Sequence, residues 1–295
     1  MSDSDFLADR FEEHRRHLRA VAYRMLGSLS EADDAVQEAW FRLNRSDVGG
    51  VENLAGWLTT VVGRVCLDML RARESRREEP LGGRRLPDPV VSGHNGIDPE
   101  QQALIADSVG LALLVVLETL APAERLAFVL HDMFGVPFED IAPIVGRSPA
   151  AARQLASRAR RRVRGSAPVP DTDLGRQREI VDAFLAAARE GDFDALVSLL
   201  DPDVVLRADD GAVPGAGVRL ILGARNVAAG ALSFARLARF AHPALVNGTA
   251  GFVTFTERQP FSVIGFTITD GRIVGMDILA DPDRLSRLDF AAIDE

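Results

Sequence analysis

The sequence predicts a multidomain protein in which two all-α domains are followed by an α+β domain with a curved antiparallel sheet. Apolar residues recur at helical spacing through residues 1–166, with a Gly- and Pro-rich interruption. Beyond a second Pro-rich segment, short apolar runs and the turn dipeptides Asn247-Gly248 and Asp270-Gly271 indicate strands and hairpins. The predicted domains are 1–78, 99–166 and 177–290, joined by linkers at 79–98 and 167–176.

Composition limits the class of protein. The chain has 295 residues, a net charge of -9 and 47% hydrophobic residues, which is typical of a globular protein. Its longest apolar stretch, Leu111–Leu117, is too short to span a membrane, and its first twenty residues contain no apolar signal region, so we expect a cytoplasmic protein. Cys66 is the only cysteine, which excludes an intramolecular disulfide and predicts a small core residue. No cofactor or metal is predicted.

A basic helix follows a short helix and a glycine turn at Gly146, an order typical of a helix-turn-helix. The basic segment, residues 148–165, contains six arginines and no acidic residue, with Ser148 as its predicted N-cap. A helical wheel gives it an apolar face and a basic face. A solvated surface would explain the basic face, but DNA binding is favoured because solvated faces usually mix both signs of charge. Arg153 and Gln154 are expected to reach bases, and Arg158, Arg161 and Arg164 to meet phosphates.

Two helices nearer the N-terminus carry distinct surfaces. On the first, residues 31–43, the predicted core face is Ala32, Ala35, Val36, Ala39 and Leu43. Its outer face places one aromatic residue among polar and acidic ones, which indicates either ordinary solvation or a docking face for a basic partner protein. The residues of this outer face are Asp33, Asp34, Gln37, Glu38 and Phe41. The next helix, about 52–73, has Thr59, Thr60, Gly63, Arg64 and Arg71 off its apolar side.

The order of three motifs resembles the extracytoplasmic-function class of bacterial RNA polymerase sigma factors. The motifs are EADDAVQEAWFRL, WLTTVVGRVCLDMLRAR and FEDIAPIVGRSPAAARQLASRARRRV, between Asp9 and Arg164. The resemblance implies core RNA polymerase and promoter DNA as partners, with the acidic helix face above docking on polymerase. It implies that Thr59, Thr60, Arg64 and Arg71 open and read the minus-10 element as single strand. The predicted minus-35 set is Arg147, Ser148, Arg153, Gln154, Ser157, Arg158, Arg161 and Arg164.

The C-terminal segment, from Arg178 to about Leu288, resembles a SnoaL-like domain of the cone-shaped fold shared with nuclear transport factor 2. The whole chain is similar to a sigma subgroup in which this domain modulates activity in cis. The linker motif RRLPDPV and the closing motif DPDRL carry that similarity, whereas the loop DDGAVPGAG lacks the lysine of the subgroup's glycine-rich loop. The predicted regulatory residues are Leu86, Pro87, Asp88, Pro89, Asp209, Asp210 and Gly211.

Two other classes remain open from the residues themselves: a DNA-binding regulator that acts without polymerase, and a SnoaL-like enzyme fused to a helical module. Asp209, Asp210, His242 and Asp277 are possible acid/base groups, but no pair has a spacing that indicates shared chemistry. We therefore expect no enzyme, and whether the C-terminal domain takes a small-molecule ligand is left unknown. His14 and His17 lie three residues apart without an evident third metal ligand.

Overall fold

The computed structural model describes residues 3–45, 53–75, 85–93, 110–166, 168–211 and 218–293. These residues form two compact units: one contains 3–45, 53–75 and 116–166, and the other contains 85–93, 110–115, 168–211 and 218–293. None of the described helices is both long and apolar enough to cross a membrane.

The first unit is helical and contains most of the described residues of the two segments that the sequence predicts as all-α domains. A π-helical turn, Val129–Met133, directly continues α5. The helices, with α4 beginning in the second unit, are α1 Asp3–Leu26, α2 Leu29–Arg45, α3 Leu54–Ser75, α4 Leu111–Glu118, α5 Pro122–Phe128, α6 Phe138–Val145 and α7 Pro149–Ser166.

Amphipathic periodicity explains how these helices pack. The five residues predicted as the core face of α2 are all buried, which confirms that interpretation. Arg125 of α5 is 4% exposed; it donates to the Met25 carbonyl at 2.8 Å and pairs with Glu118 at 2.8 Å. A buried guanidinium with these partners ties the later helical segment to the end of α1. Cys66 is buried, and its burial raises the pKa of the thiol, so the predicted core role is confirmed.

The second unit is an α+β domain, and the predicted fold class is confirmed. Its helices are α8 Leu174–Glu190, α9 Phe193–Leu199, α10 Ala224–Ser233 and α11 Pro282–Leu285. Its strands are β1 Val91–Gly93, β2 Leu200–Asp209, β3 Arg219–Leu222, β4 Ala241–Val246, β5 Thr249–Thr256, β6 Gln259–Thr269 and β7 Arg272–Leu279. The order across the sheet is β1-β4-β5-β6-β7-β2-β3.

The sheet differs in one respect from the predicted antiparallel sheet. Strand β2 pairs with β7 in parallel, whereas all the other neighbours are antiparallel, so the described sheet is mixed and open. Helix α8 covers one face, where Phe184 packs edge-on against Phe266 with ring centroids 5.5 Å apart. Strand β1 belongs to the segment predicted as a linker, and it adds an edge to this sheet.

Candidate nucleic-acid interface and linker site

Helix α7 is held at its start by two local features. Gly146 has a φ of +66°, which lets the chain turn sharply after α6, and Ser148 Oγ accepts a hydrogen bond from the Ala151 amide at 3.3 Å. Ala152, Ala156 and Ala159 are buried, so the opposite face points outward. The eight residues predicted to meet the minus-35 element are all exposed.

Ion pairs divide the arginines of α7 into two sets. Arg158 and Arg162 both pair with Glu124 of α5, at 2.7 Å and 3.4 Å, and Arg160 pairs with Asp132 at 2.5 Å. In the described part of the chain, the side chains of Arg153, Arg161 and Arg164 form no ion pair. The second set therefore keeps its charge available for a polyanion, whereas the first is partly neutralised within the fold.

The predicted polymerase-docking face of α2 lies on the surface. Asp33 pairs with Arg19 at 2.6 Å, and Glu38 pairs with Arg42 at 2.9 Å. Asp34 and Gln37 are exposed, and Phe41 is 45% exposed although it is a large apolar side chain. The aromatic ring and its acidic surroundings thus occupy one accessible helix face.

The residues predicted to read the minus-10 element divide into exposed and buried positions. Arg64 and Arg71 are exposed on α3, whereas Thr59 is 3% exposed. Its hydroxyl donates to the Ala55 carbonyl at 2.8 Å and lies 3.1 Å from His17 Nε2. Thr60 Oγ1 donates to the Trp57 carbonyl at 2.7 Å. In this arrangement Thr59 is closed to a nucleic acid.

Gly63, one turn along α3, explains how closely the two helical segments pack. The glycine is buried, and a Cβ atom there would lie 3.0 Å from Leu130 Cδ1 and 3.6 Å from Leu126 Cδ1. A larger residue would require the Leu130 side chain to shift by a few tenths of an ångström. The surface of α3 at Gly63 is therefore in contact with the later segment.

A partly buried arginine contacts three of the predicted regulatory residues in the second unit. Arg284 of α11 donates to Asp88 Oδ1 at 2.5 Å, to Asp209 Oδ2 at 2.7 Å and to the Leu86 carbonyl at 2.6 Å. The three charged side chains are at most 14% exposed. The sequence places Arg284 in the motif DPDRL, but it gave no signal for this specific contact.

The other predicted regulatory residues surround this cluster. Pro87 and Pro89 are buried, and Asp210 lies 3.7 Å from Arg219. Gly211 has a φ of +61°, and a Cβ atom there would lie 2.7 Å from Asp281 Cγ, so only glycine fits that approach. Residues 212–217, the rest of the predicted glycine-rich loop, lie outside the described residues.

The linker is also held by backbone pairing. Val91, Ser92 and Gly93 pair with Val246, Leu245 and Ala244 of β4. Asn247 adds two hydrogen bonds to Val90. The Asn247 backbone N–H donates to the Val90 carbonyl at 2.8 Å, and the side-chain Oδ1 accepts from the Val90 backbone N–H at 3.1 Å. Asn247, predicted only as a turn residue, therefore also fastens the linker.

The possible acid/base groups of the second unit have structural partners. Asp277 is 2% exposed and lies 3.1 Å from Arg207; burial raises the pKa of its carboxyl, and Arg207 opposes that shift. Asp209 is part of the Arg284 cluster, and His242 is exposed with its ring edge-on to Phe255. Among the described residues, no group of three or more His, Cys, Asp or Glu side chains could hold a metal ion.

Comparison with known proteins agrees with this layout. The family described as Sigma-70 region 2 matches residues 10–76, and the family described as Sigma-70, region 4 matches residues 110–163. The ECF RNA polymerase sigma factor SigJ of Mycobacterium tuberculosis is 39% identical over 290 residues, which cover 94% of this chain and 92% of the relative. The chain belongs to the ECF sigma factors.

This sigma factor also resembles its relatives beyond the two helical segments. The probable ECF RNA polymerase sigma factor SigI of Mycobacterium tuberculosis is 34% identical and covers 98% of each chain. The crystal structure of Mycobacterium tuberculosis SigJ matches with a TM-score of 0.77 at 37% identity, covering 95% of this chain and 98% of that one. The similarity to proteins of the same class thus extends through the C-terminal domain, and the function of this sigma factor is promoter-specific transcription initiation with RNA polymerase.

Proposed function

We propose that this sigma factor reads a two-part promoter with α7 and α3 while α2 docks on core polymerase, and that its C-terminal domain regulates initiation by holding the linker between regions 2 and 4. The observation that carries the regulatory part is the contact of Arg284 with Asp88, Asp209 and the Leu86 carbonyl. Leu86 and Asp88 belong to the linker, and the other two residues belong to the C-terminal domain.

The charge balance supports a specific interaction of Arg284 with Asp88 and Asp209, here called the clamp. One guanidinium faces two carboxylates in a site where each side chain is at most 14% exposed. Removing the arginine would leave two enclosed, like-charged carboxylates, which is far costlier than losing a surface ion pair. Linker release is therefore the expected result of losing Arg284.

The position of the linker in the chain explains how the C-terminal domain would affect initiation. The linker joins α3 to α4, so a linker paired with β4 and held by Arg284 restricts the arrangements that the two DNA-binding segments can take. Initiation requires α3 and α7 to reach two separate promoter elements. We propose no catalytic step, because Asp209 and Asp277 are both engaged by arginines.

The test is transcription by reconstituted holoenzyme on a promoter selected with the wild-type protein. Arg284→Ala and Asp88→Asn should each change the amount of specific transcript in the same direction, and the double substitution should add little to either one. Arg287→Ala, at an exposed position three residues further along, is the matched control. Unchanged transcription by both single variants would refute the clamp, and absence of any specific transcript would refute the wider proposal.

A further inference from the structure

Three side chains of the helix-turn-helix, those of His131, Phe138 and Arg153, lie together around the Phe138 ring. His131 of the π-helical turn lies against Phe138 of α6, with ring centroids 3.8 Å apart and ring planes 29° apart. On α7, the Arg153 Cζ lies over the same Phe138 ring, 5.1 Å from its centroid. A cation at this distance over an aromatic face is attracted by the electrons of the ring.

The Phe138 ring is firmly held. It is 7% exposed at the first position of α6, directly after Pro137. Its stacking partner His131 is itself fixed, because His131 Nδ1 lies within hydrogen-bond distance, 3.0 Å, of the Val136 carbonyl oxygen. The ring thus offers Arg153 a surface whose orientation is set by the scaffold.

Arg153 differs from the ion-paired arginines of α7. Its side chain is exposed, and in the part of the chain described here it forms no hydrogen bond or ion pair, whereas Arg158, Arg160 and Arg162 each meet a carboxylate. A cation–π contact limits the positions that the guanidinium can take and uses none of its N–H donors. Free N–H donors are what a bidentate contact to guanine O6 and N7 requires.

We propose that Phe138 is a positioning residue for promoter specificity: its ring holds the Arg153 guanidinium at the position from which it reads a guanine in the minus-35 element. This inference rests on the proposed function of α7. Phe138 contacts no base itself; it lowers the number of orientations that Arg153 must lose on binding, so its effect appears in base preference.

The experiment selects duplexes randomised across the upstream element with wild-type holoenzyme, and then measures binding to the selected site and to its single-base variants. Arg153→Ala should abolish the preference for one guanine. Phe138→Leu should reduce that preference about two- to fivefold, which is the range of one exposed cation–π contact, while Phe138→Tyr should retain it. In the Arg153→Ala background, Phe138→Leu should have no further effect on the preference.

Controls separate this role from general stability. Binding to core polymerase and to unrelated DNA should be unchanged in Phe138→Leu, and Phe138→Met replaces it if the leucine variant does not fold. Equal loss on all DNA sequences, or equal loss of preference with and without Arg153, would overturn the inference. If wild-type holoenzyme selects no upstream sequence, the proposed reading by α7 fails instead.

Discussion

Among single residues, Arg207 has a large predicted effect because it compensates a buried charge. Asp277 is 2% exposed, and Arg207 lies 3.1 Å from its carboxylate. Arg207→Ala should lower the free energy of unfolding of the C-terminal domain by about 3 kcal/mol at neutral pH, since a buried carboxylate loses its partner. Denaturant unfolding, followed by fluorescence or circular dichroism, measures the change.

The pH dependence of that variant gives a further check. Burial raises the pKa of Asp277, and without Arg207 this effect is no longer opposed. The folded variant then binds the proton more tightly than the unfolded chain, so its stability should decline as the pH rises from about 4 towards the raised pKa. The double variant Arg207→Ala/Asp277→Asn should lose this dependence; a pH-independent loss in Arg207→Ala alone would contradict the account.

His17 is expected to make the helical unit sensitive to acid. Burial, then His14 and Arg24, lower the pKa of His17, whose Nε2 lies 3.1 Å from Thr59 Oγ1. The unfolded chain therefore takes up the proton at a higher pH than the folded protein does, so stability is lost as the pH falls below about 6.5.

His17→Gln should reduce the fall in thermal unfolding midpoint between pH 7.5 and pH 5.5. His242→Gln, at an exposed position in the other unit, is the control and should leave the fall unchanged. The same slope in wild type and His17→Gln would assign the acid sensitivity to other groups.

Among the elements, α7 should contain two kinds of arginine that differ in how they affect the salt dependence of DNA binding. Arg161 and Arg164 are exposed and have no ion pair among the described residues, whereas Arg160 pairs with Asp132 at 2.5 Å. Arg161→Ala and Arg164→Ala should each lower the slope of log affinity against log salt by about 1, uniformly across DNA sequences.

Arg160→Ala is the comparison in the same helix and should change the slope by clearly less. The measurement is holoenzyme binding to a promoter duplex at several salt concentrations. Equal slopes for all three variants would mean that the ion pair with Asp132 does not neutralise Arg160.

Helix α2 should act through Phe41, an apolar ring on an otherwise polar face. The side chain is 45% exposed beside Asp34 and Gln37. Phe41→Ala should weaken binding to core polymerase about tenfold, the effect of losing one central aromatic contact. Phe261→Ala removes a ring of similar exposure, 40%, from the C-terminal domain and should leave the affinity unchanged. Full core affinity in Phe41→Ala would favour a regulator that acts without polymerase.

Some helix faces and turns could be predicted from the sequence, and others could not. The core face of α2 and the turns at Asn247-Gly248 and Asp270-Gly271 were predictable because each depends on residues a few positions apart. A third tight turn, at Glu257-Arg258, was not predicted because neither residue is among the types that usually adopt positive φ, yet both do.

Across the whole molecule, the contacts that the sequence did not reveal are the distant ones. Arg284 and Asp88 are 196 residues apart in the chain, and no local pattern identifies such a pair. The parallel pairing of β2 with β7 and the burial of Thr59 likewise depend on how remote segments meet. Family resemblance brought the linker and the closing motif together as candidates, but the atoms that join them come from the fold.

The strand β1, which the linker adds to the C-terminal sheet, affects the solubility expected of the isolated domain. A fragment of residues 168–295 would lack β1, and the backbone donors and acceptors of β4 would become a bare edge. Such a fragment should self-associate or aggregate as its concentration rises, and light scattering would detect this; a peptide covering residues 85–93 should suppress it by β-strand addition. The solubility of the C-terminal domain is thus expected to depend on a segment encoded before region 4.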